Sequence, residues 1–366
     1  MAHRVPDTDA VVVQRLNAQG AVLVAKLATG NRVRLWFGGQ TRNPWDSSRG
    51  ASGSSAGPAS AVAAGCVSFA IGTETLGSIV SPCMECGTVG LRPTFGRVAR
   101  TGCMALSWSM DKIGAIARSS RDVSLVLAAI NGADVRDPSS RQQAFLADPS
   151  VAPGDAVAAG VEGLRVGVVR RWLEDPAAGA GADPDAAGAM ATAKFDRDTI
   201  DRLRAAGATI VDVDVPEAPY QTLVLPLLVE GAAAFEELTR TNIDDQLSWQ
   251  ADEAWPNTFR RTWLVPAIEL VQTERFRREV MATMREVMSG IDVLAAPSFA
   301  GGLAGPLMIG NTTGIPSITV PTNLRSDGRP HGITILGRLF DEGTLVRVGM
   351  AVEEAAPIRG KRPPSA

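Results

Sequence analysis

Several kinds of feature are scarce in this sequence, and each shortage excludes a class of protein. Four cysteines among 366 residues do not make the disulfide framework of a small secreted fold. No run of ~18 continuous apolar residues occurs, so no segment is predicted to span a membrane. The formal net charge of −3 offers no basic surface for nucleic acid. These absences favour a packed cytoplasmic protein, and the first ten residues carry no apolar run typical of a secretory signal.

Short apolar runs alternate with helical patterns along the chain. Gly20 is predicted to end a first helix, and the run AVLVAK that follows is predicted to form a buried strand. Further strands are predicted at 88–94, 164–169, 209–216, 292–297, 317–321 and 332–337, and helices at 58–70, 120–132, 185–206, 220–289 and 342–355. The strand–helix–strand order predicts parallel α/β architecture. No internal repeat is visible, and the length allows either two domains or one large α/β domain.

Two serine-containing motifs lie on either side of the apolar segment at 58–70. Ser54 stands in GSSAGP (53–58), and Ser78 stands in GTETLGSIVSP (72–82), 24 residues later. A return strand or turn between residues 66 and 78 would bring Ser78 back beside Ser54. Each motif alone is more often a loop or turn than a site. Together they suit a serine nucleophile that is served by a second hydroxyl.

These two motifs and their spacing resemble the signature region of the amidase signature family. The resemblance extends to most of the chain and is weakest at 146–260. Other segments in family order are GAVLVAK, GGQTRNPWD, GRVARTGCMALSWSMDKIG, DVLAAPS, NTTGIPSITVPTN and DGRPHGITILGRLFDEGTL. The resemblance implies a single domain over residues 1–366, built on a mixed, largely parallel sheet with helices on both faces. It also implies amide hydrolysis on a small-molecule substrate, without metal or cofactor.

The resemblance assigns a role to each residue of the two motifs. Ser78 is implied as the nucleophile that forms an acyl-enzyme, and Ser54, after a cis peptide bond from Gly53, as the relay between Ser78 and a base. Ser55 is implied to orient the loop. The implied oxyanion hole consists of the backbone N–H groups of Thr75, Leu76, Gly77 and Ser78. Substrate specificity is expected from the variable region at about 215–265.

Three features depart from the family pattern. The family's general base is a lysine upstream of the GAVLVAK-like segment, whereas Lys26 and Lys112 match other family positions. We therefore expect an N-terminally truncated protein or an inactive relative, with weak or no activity. Leu76 replaces the usual glycine of the nucleophile loop, so φ must be negative there. Val80 replaces an arginine that commonly follows the nucleophile.

Other readings of the sequence remain open. A Ser-His-Asp triad would use His331, with Asp327 or Asp341 as its partner. Cys83 and Cys86 form a CxxC motif, but we interpret them as packed thiols because no further metal ligands accompany them. Three tryptophans are candidates for the substrate cleft or for loop anchors: Trp36, Trp45 and Trp108.

Two alternative functions are considered beside the hydrolysis of linear amides. One alternative is that the chain is the A component of a tRNA-dependent amidotransferase, which hydrolyses glutamine and hands ammonia to partner subunits. It is also interpretable as an inactive amidase-like fragment that only binds. A homodimer is a further candidate assembly.

Overall fold

The computed structural model describes residues 6–30, 39–145, 160–175 and 186–364. Within these ranges the strands are β1 (Arg42–Asn43), β2 (Asp46–Gly50), β3 (Phe69–Glu74), β4 (Val89–Arg92), β5 (Lys112–Ala117), β6 (Arg165–Val168), β7 (Thr209–Asp212), β8 (Val293–Pro297), β9 (Ser317–Leu324) and β10 (Pro330–Gly337). The first two form a small hairpin, and the other eight form one sheet.

The helices of the same ranges are α1 (Val11–Ala18), α2 (Ala56–Ala63), α3 (Val80–Cys86), α4 (Ser120–Ile130), α5 (Arg170–Glu174), α6 (Ala186–Ala205), α7 (Leu225–Ala234), α8 (Glu236–Arg240), α9 (Trp255–Thr262), α10 (Ala267–Ser289), α11 (Pro306–Thr313) and α12 (Glu342–Ala355). Short 3-10 helices occur at Tyr220–Val224, Ile243–Gln246 and Gly302–Ala304. The described elements therefore confirm the predicted α/β class.

The eight-stranded sheet has the order β3-β5-β4-β9-β10-β8-β6-β7 and is mixed, as expected. The expectation of a largely parallel sheet is wrong for the strand pairings. Five neighbouring pairs are antiparallel, and only the pairs β6–β7 and β6–β8 are parallel. The parallel part consists of the strand–helix–strand unit of β6, α6 and β7, which the sequence pattern identified, and of β8 beside β6.

Helices cover both faces of the sheet, as β8 illustrates. Its residues Val293 and Ala295 belong to one core cluster with residues of α4, α6 and α12, whereas Leu294 and Ala296 belong to another with residues of α10 and α11. Alternate residues of a strand point to opposite faces. All five residues of β8 are buried, which accounts for its continuous apolar sequence. A third core cluster joins α2 and α3 to β3 and β5.

The predictions for the N-terminal third of the chain need two corrections. No strand forms at residues 21–26, where Val22, Leu23 and Val24 are 83%, 66% and 72% exposed. The helix predicted at 58–70 ends at Ala63, and β3 begins at Phe69. Gly65 has φ of +76° after the helix, a conformation that glycine adopts without steric cost. This early end creates the return strand that the serine spacing requires.

One feature bears on membrane association. None of the helices in the described ranges combines the length and the apolar character that crossing a membrane requires.

A half-buried glutamate joins α12 to the start of α4. The carboxylate of Glu353 accepts hydrogen bonds from the backbone N–H and the hydroxyl of Ser120, each at 2.6 Å. Burial raises the pKa of Glu353 from 4.5 to about 7. Folding therefore favours the protonated carboxyl, so the native state binds more protons than the unfolded state between these two pKa values.

We predict that Glu353→Gln removes a pH dependence of stability. The free energy of unfolding of the unmodified protein should fall, relative to this variant, by roughly 3 kcal/mol as pH rises from about 4.5 to about 7. Urea denaturation at several pH values measures this. Glu354→Gln is the control, since its side chain is 72% exposed in an ion pair with Arg359. Parallel pH profiles for Glu353→Gln and the unmodified protein would contradict the prediction.

Candidate active site

The loop that contains Ser78 is closed at its base by one carboxylate. Glu74 ends β3 and is completely buried. Its Oε2 accepts hydrogen bonds from the backbone N–H groups of Ile79 at 2.7 Å and Val80 at 2.9 Å. These two groups begin α3 and would otherwise lack partners. The carboxylate thus joins the end of the strand to the start of the helix, and residues 75–78 form the loop between them.

The second oxygen of Glu74 fixes the carboxylate itself. Oε1 lies 3.0 Å from Nε of Arg92 and accepts a hydrogen bond from Nδ2 of Asn311 at 2.8 Å. Arg92 is also buried and donates to the Ser317 hydroxyl and to the carbonyl of Gly310. A buried ion pair persists when its remaining donors and acceptors are satisfied in this way. Burial lowers the pKa of Arg92.

The loop residues before Ser78 are held from the opposite side. The Thr75 hydroxyl donates to Oδ1 of Asp111 at 2.6 Å, and Oδ2 of Asp111 accepts from the backbone N–H groups of Leu106 and Ser107. Leu76 is not among the residues with positive φ, as expected for a side chain at that position. Gly77 has φ of +84°, which favours glycine.

The two serine motifs meet through their backbones. The N–H of Ser55 donates to the carbonyl of Ser78 at 3.1 Å, and the hydroxyl of Ser55 both donates to and accepts from the backbone of Thr73 at 3.1 Å. The peptide bond between Gly53 and Ser54 is cis, as the resemblance implies. Ser54 also accepts a backbone hydrogen bond from Gly30 at 3.0 Å.

One side-chain hydrogen bond between serines also joins the two segments. Ser52, two residues before Ser54, shares a 2.5 Å hydrogen bond with Ser81. Within the described part of the chain, no hydrogen bond joins the hydroxyls of Ser54 and Ser78. Hydrogen bonds between catalytic groups are often long before substrate binds. The fold therefore brings together the two segments that the sequence pairs.

Lys112 lies beneath the nucleophile loop. Its ammonium group is buried and donates to the carbonyls of Thr75 and Asn311, each at 3.4 Å, and to the carbonyl of Met110. Burial, with a further contribution from the Arg92 guanidinium, lowers the pKa of Lys112 well below its usual value. The other three lysines, Lys26, Lys194 and Lys361, are exposed.

The rival triad is not assembled in the structure. Nε2 of His331 lies 2.9 Å from Oδ1 of Asp196, not beside either predicted partner. Asp327 binds Arg329, and Asp341 caps α12 at Thr344. No hydrogen bond joins His331 to Ser78 in the described ranges. The sequence does not indicate this pairing, because Asp196 is 135 residues from His331 and only the packing of α6 on β10 brings the two residues close.

The structure shows where the cysteine and tryptophan candidates lie. Cys83 and Cys86 are buried, and burial raises the pKa of Cys83 to about 12, so these thiols are packed as expected. Within the described residues, no cluster of three metal-ligating side chains occurs. Trp45 anchors its loop by donating to the Cys86 carbonyl at 2.8 Å, and Trp108 is 51% exposed. Trp36 lies outside the described residues.

Comparison with known proteins identifies the family of this chain. A family model described as Amidase matches residues 1–346. The chain belongs to the amidase family. This finding confirms the resemblance carried by the two serine motifs, and it supports an activity that cleaves the C–N bond of amides.

Curated and structurally known amidase-family proteins match over nearly the whole chain. The chain is 34% identical over 397 residues to the A component of the glutamyl-tRNA(Gln) amidotransferase of Anaeromyxobacter dehalogenans, a match that covers 96% of this chain and 77% of that protein. The crystal structure of the same component from Thermotoga maritima is similar with a TM-score of 0.79 and 26% identity, covering 98% of this chain and 80% of that one. The peptide amidase of Stenotrophomonas maltophilia gives a TM-score of 0.74 and 28% identity, covering 97% and 78%.

In this amidase-family chain, the region expected to set specificity contacts the segment that holds the Ser78 loop in place. Residues 215–265 include α7, whose Glu230 accepts hydrogen bonds from the Ser107 hydroxyl and from the backbone N–H of Ser109. Arg277 of α10 donates to the hydroxyl and the carbonyl of Ser109, both at 3.0 Å. The segment at 106–109 thus connects these helices to Asp111 and, through it, to Thr75.

Sequence reasoning missed the buried residues that hold the loop. Glu74 lies inside the motif GTETLGSIVSP, but the motif alone gives it no chemical role. Its position four residues before Ser78, at the end of a strand and ahead of a helix, was the available signal, because a carboxylate there can satisfy helix N–H groups. Arg92, Asp111 and Asn311 carried no local signal.

We predict that Glu74→Gln destabilises the protein by about 3–5 kcal/mol, because it leaves the Arg92 charge buried without its counter-charge. An amide also turns a donor toward groups that need acceptors. Urea denaturation measures the change. Glu236→Gln, which breaks an exposed ion pair with Arg240, is the control and should shift stability by less than about 1 kcal/mol. Equal losses in the two variants would contradict the role given to Glu74.

Proposed function

We propose that this chain cleaves carboxamides through an acyl-enzyme on Ser78, with Ser54 as the proton relay. The observation that carries the proposal is the backbone hydrogen bond from Ser55 to Ser78, which sets the two serine segments side by side in a member of the amidase family. The network around Glu74 supports it, since it holds the loop rigid on both sides of the nucleophile.

The proposed reaction has two steps. The Ser78 oxygen bonds to the amide carbonyl carbon, its proton passes through Ser54, and the C–N bond breaks as the amine leaves with a proton. Water then attacks the acyl carbon, the bond to the Ser78 oxygen breaks, and the carboxylic acid leaves while Ser78 regains its proton. The N–H groups of residues 75–78 would bind the oxyanion, and a single such donor is typically worth ~2.7–4 kcal/mol.

The base of this reaction limits the expected rate. A neutral, desolvated lysine is the base that the family resemblance implies. In the described part of the chain the exposed lysines lack that desolvation, and Lys112 is engaged with three carbonyls. We therefore expect slow hydrolysis from this chain, although the Ser78 loop itself is intact.

A second candidate function is that of the glutamine-hydrolysing A component of a tRNA-dependent amidotransferase. The names of the curated relatives favour it over a free-standing amidase. Glutamine would be the substrate, and partner subunits would receive the ammonia. The similarity to a peptide amidase keeps other carboxamides in consideration.

We predict that a fluorophosphonate probe labels this protein at Ser78. Such probes report an activated serine independently of the amide that the enzyme prefers. Peptide mapping by mass spectrometry should locate the adduct, and Ser78→Ala should abolish it. Ser60→Ala is the matched control, because its hydroxyl binds the Arg42 carbonyl at the surface. Labelling that persists in Ser78→Ala, or none in the unmodified protein, would sink the proposal.

The two candidate functions are separated by substrate. If the chain is the A component of an amidotransferase, ammonia release from glutamine should exceed that from simple aliphatic amides by at least about tenfold in kcat/KM, because a specific site gains from its side-chain contacts. Glutamine activity should also rise when partner subunits are added. Similar kcat/KM values for all amides would favour the free-standing amidase.

A further inference from the structure

We propose that Lys112 is a positioning residue that aims the backbone N–H of Leu76 at the substrate oxyanion. This inference rests on the proposed function of Ser78. It assigns a task to a buried lysine that the proposed chemistry does not otherwise use.

Lys112 is placed by the sheet. It begins β5 and pairs with Glu74 across the antiparallel β3–β5 ladder, so it stands next to the residue from which the nucleophile loop departs. Its side chain is only 2% exposed. From there Nζ reaches the Thr75 carbonyl, the first carbonyl of the loop, at 3.4 Å.

The orientation of the Thr75 carbonyl also sets the direction of the Leu76 N–H. The Thr75 carbonyl and the Leu76 N–H belong to one peptide group, and in a planar trans peptide they point in opposite directions. A donor that holds the carbonyl toward the protein interior therefore turns the N–H away from it. The next fixed peptide shows the same pattern: the Gly77 carbonyl accepts from the N–H of Ser81 at 2.8 Å, and its peptide partner is the N–H of Ser78.

An ammonium group suits this position chemically. It carries three donors, and three carbonyls face it, from Thr75, Met110 and Asn311. A hydrogen bond from the lysine nitrogen polarises the Thr75–Leu76 peptide and strengthens its N–H as a donor. Four charged side chains influence the ammonium: Arg92 and Arg277 oppose its charge, and Glu74 and Asp111 favour it.

A purely structural role is the competing explanation, in which Lys112 only balances the buried carboxylates. The two roles differ in kinetics. Support of an oxyanion donor acts in the transition state and lowers kcat when it is lost, whereas a structural role changes stability and leaves kcat unchanged.

The test compares Lys112→Met with Lys194→Met. Methionine keeps an unbranched apolar stem, one atom shorter than lysine, and donates no hydrogen bond. Lys194 is the control because it is exposed in a pair with Asp198. For the substrate that the unmodified protein hydrolyses, we expect Lys112→Met to lower kcat about 10- to 100-fold with KM within about twofold, less than the loss of a whole oxyanion donor. Lys194→Met should match the unmodified protein. An unchanged kcat in Lys112→Met would overturn the inference while the proposed function stood.

A second measurement does not depend on activity. Crystal structures of the unmodified protein and Lys112→Met should show the Thr75–Leu76 peptide rotated in the variant. An unchanged peptide would overturn the inference, even if the unmodified protein hydrolysed no amide and the proposed function failed separately. Should Lys112→Met not fold, Lys112→Leu, which also removes the donor, is judged by the same two measurements.

Discussion

The candidate site depends on one buried carboxylate, that of Glu74. It makes four polar contacts at once: two backbone N–H groups at the start of α3, the Arg92 guanidinium, and the Asn311 amide. These partners come from three parts of the fold, namely α3, β4 and α11. The carboxylate therefore links the packing of the sheet to the shape of a short loop. Because a buried charge is costly without such partners, any rearrangement of the loop would expose that cost.

Around this carboxylate, the site is built from backbone groups as much as from side chains. The cis peptide at Gly53–Ser54, the bond from Ser55 to Ser78 and the positive φ of Gly77 are all backbone features. Small residues on both motifs allow the two segments to approach closely. The side chains that support them, such as Asp111 and Lys112, act mainly on loop hydroxyls and carbonyls. Such an arrangement favours a reaction in which charge develops on a substrate oxygen.

The sequence predicted the parts of this protein that are encoded locally. The strands β8, β9 and β10 and the helices α4, α6 and α12 were recognisable from short apolar runs and helical periodicity, and the serine motifs located the site. Residues 21–26 were mispredicted because an apolar run indicates burial only when another element covers it. Strand β5 was not predicted, although all six residues are buried, because its first residue is a lysine. The pairing of Lys112 and Glu74 with distant partners is a property of the tertiary fold and leaves no local pattern.

The most direct test of this account is a crystal structure of the protein after reaction with a small phosphonate. The account predicts phosphorus bonded to the Ser78 oxygen, and a phosphonyl oxygen within hydrogen-bond distance of N–H groups from residues 75–78, about 2.7–3.2 Å between heavy atoms. The Glu74 carboxylate should keep its bonds to Ile79 and Val80 in that structure. A phosphonate bound elsewhere, or one whose oxygen points away from the loop amides, would contradict the central claim.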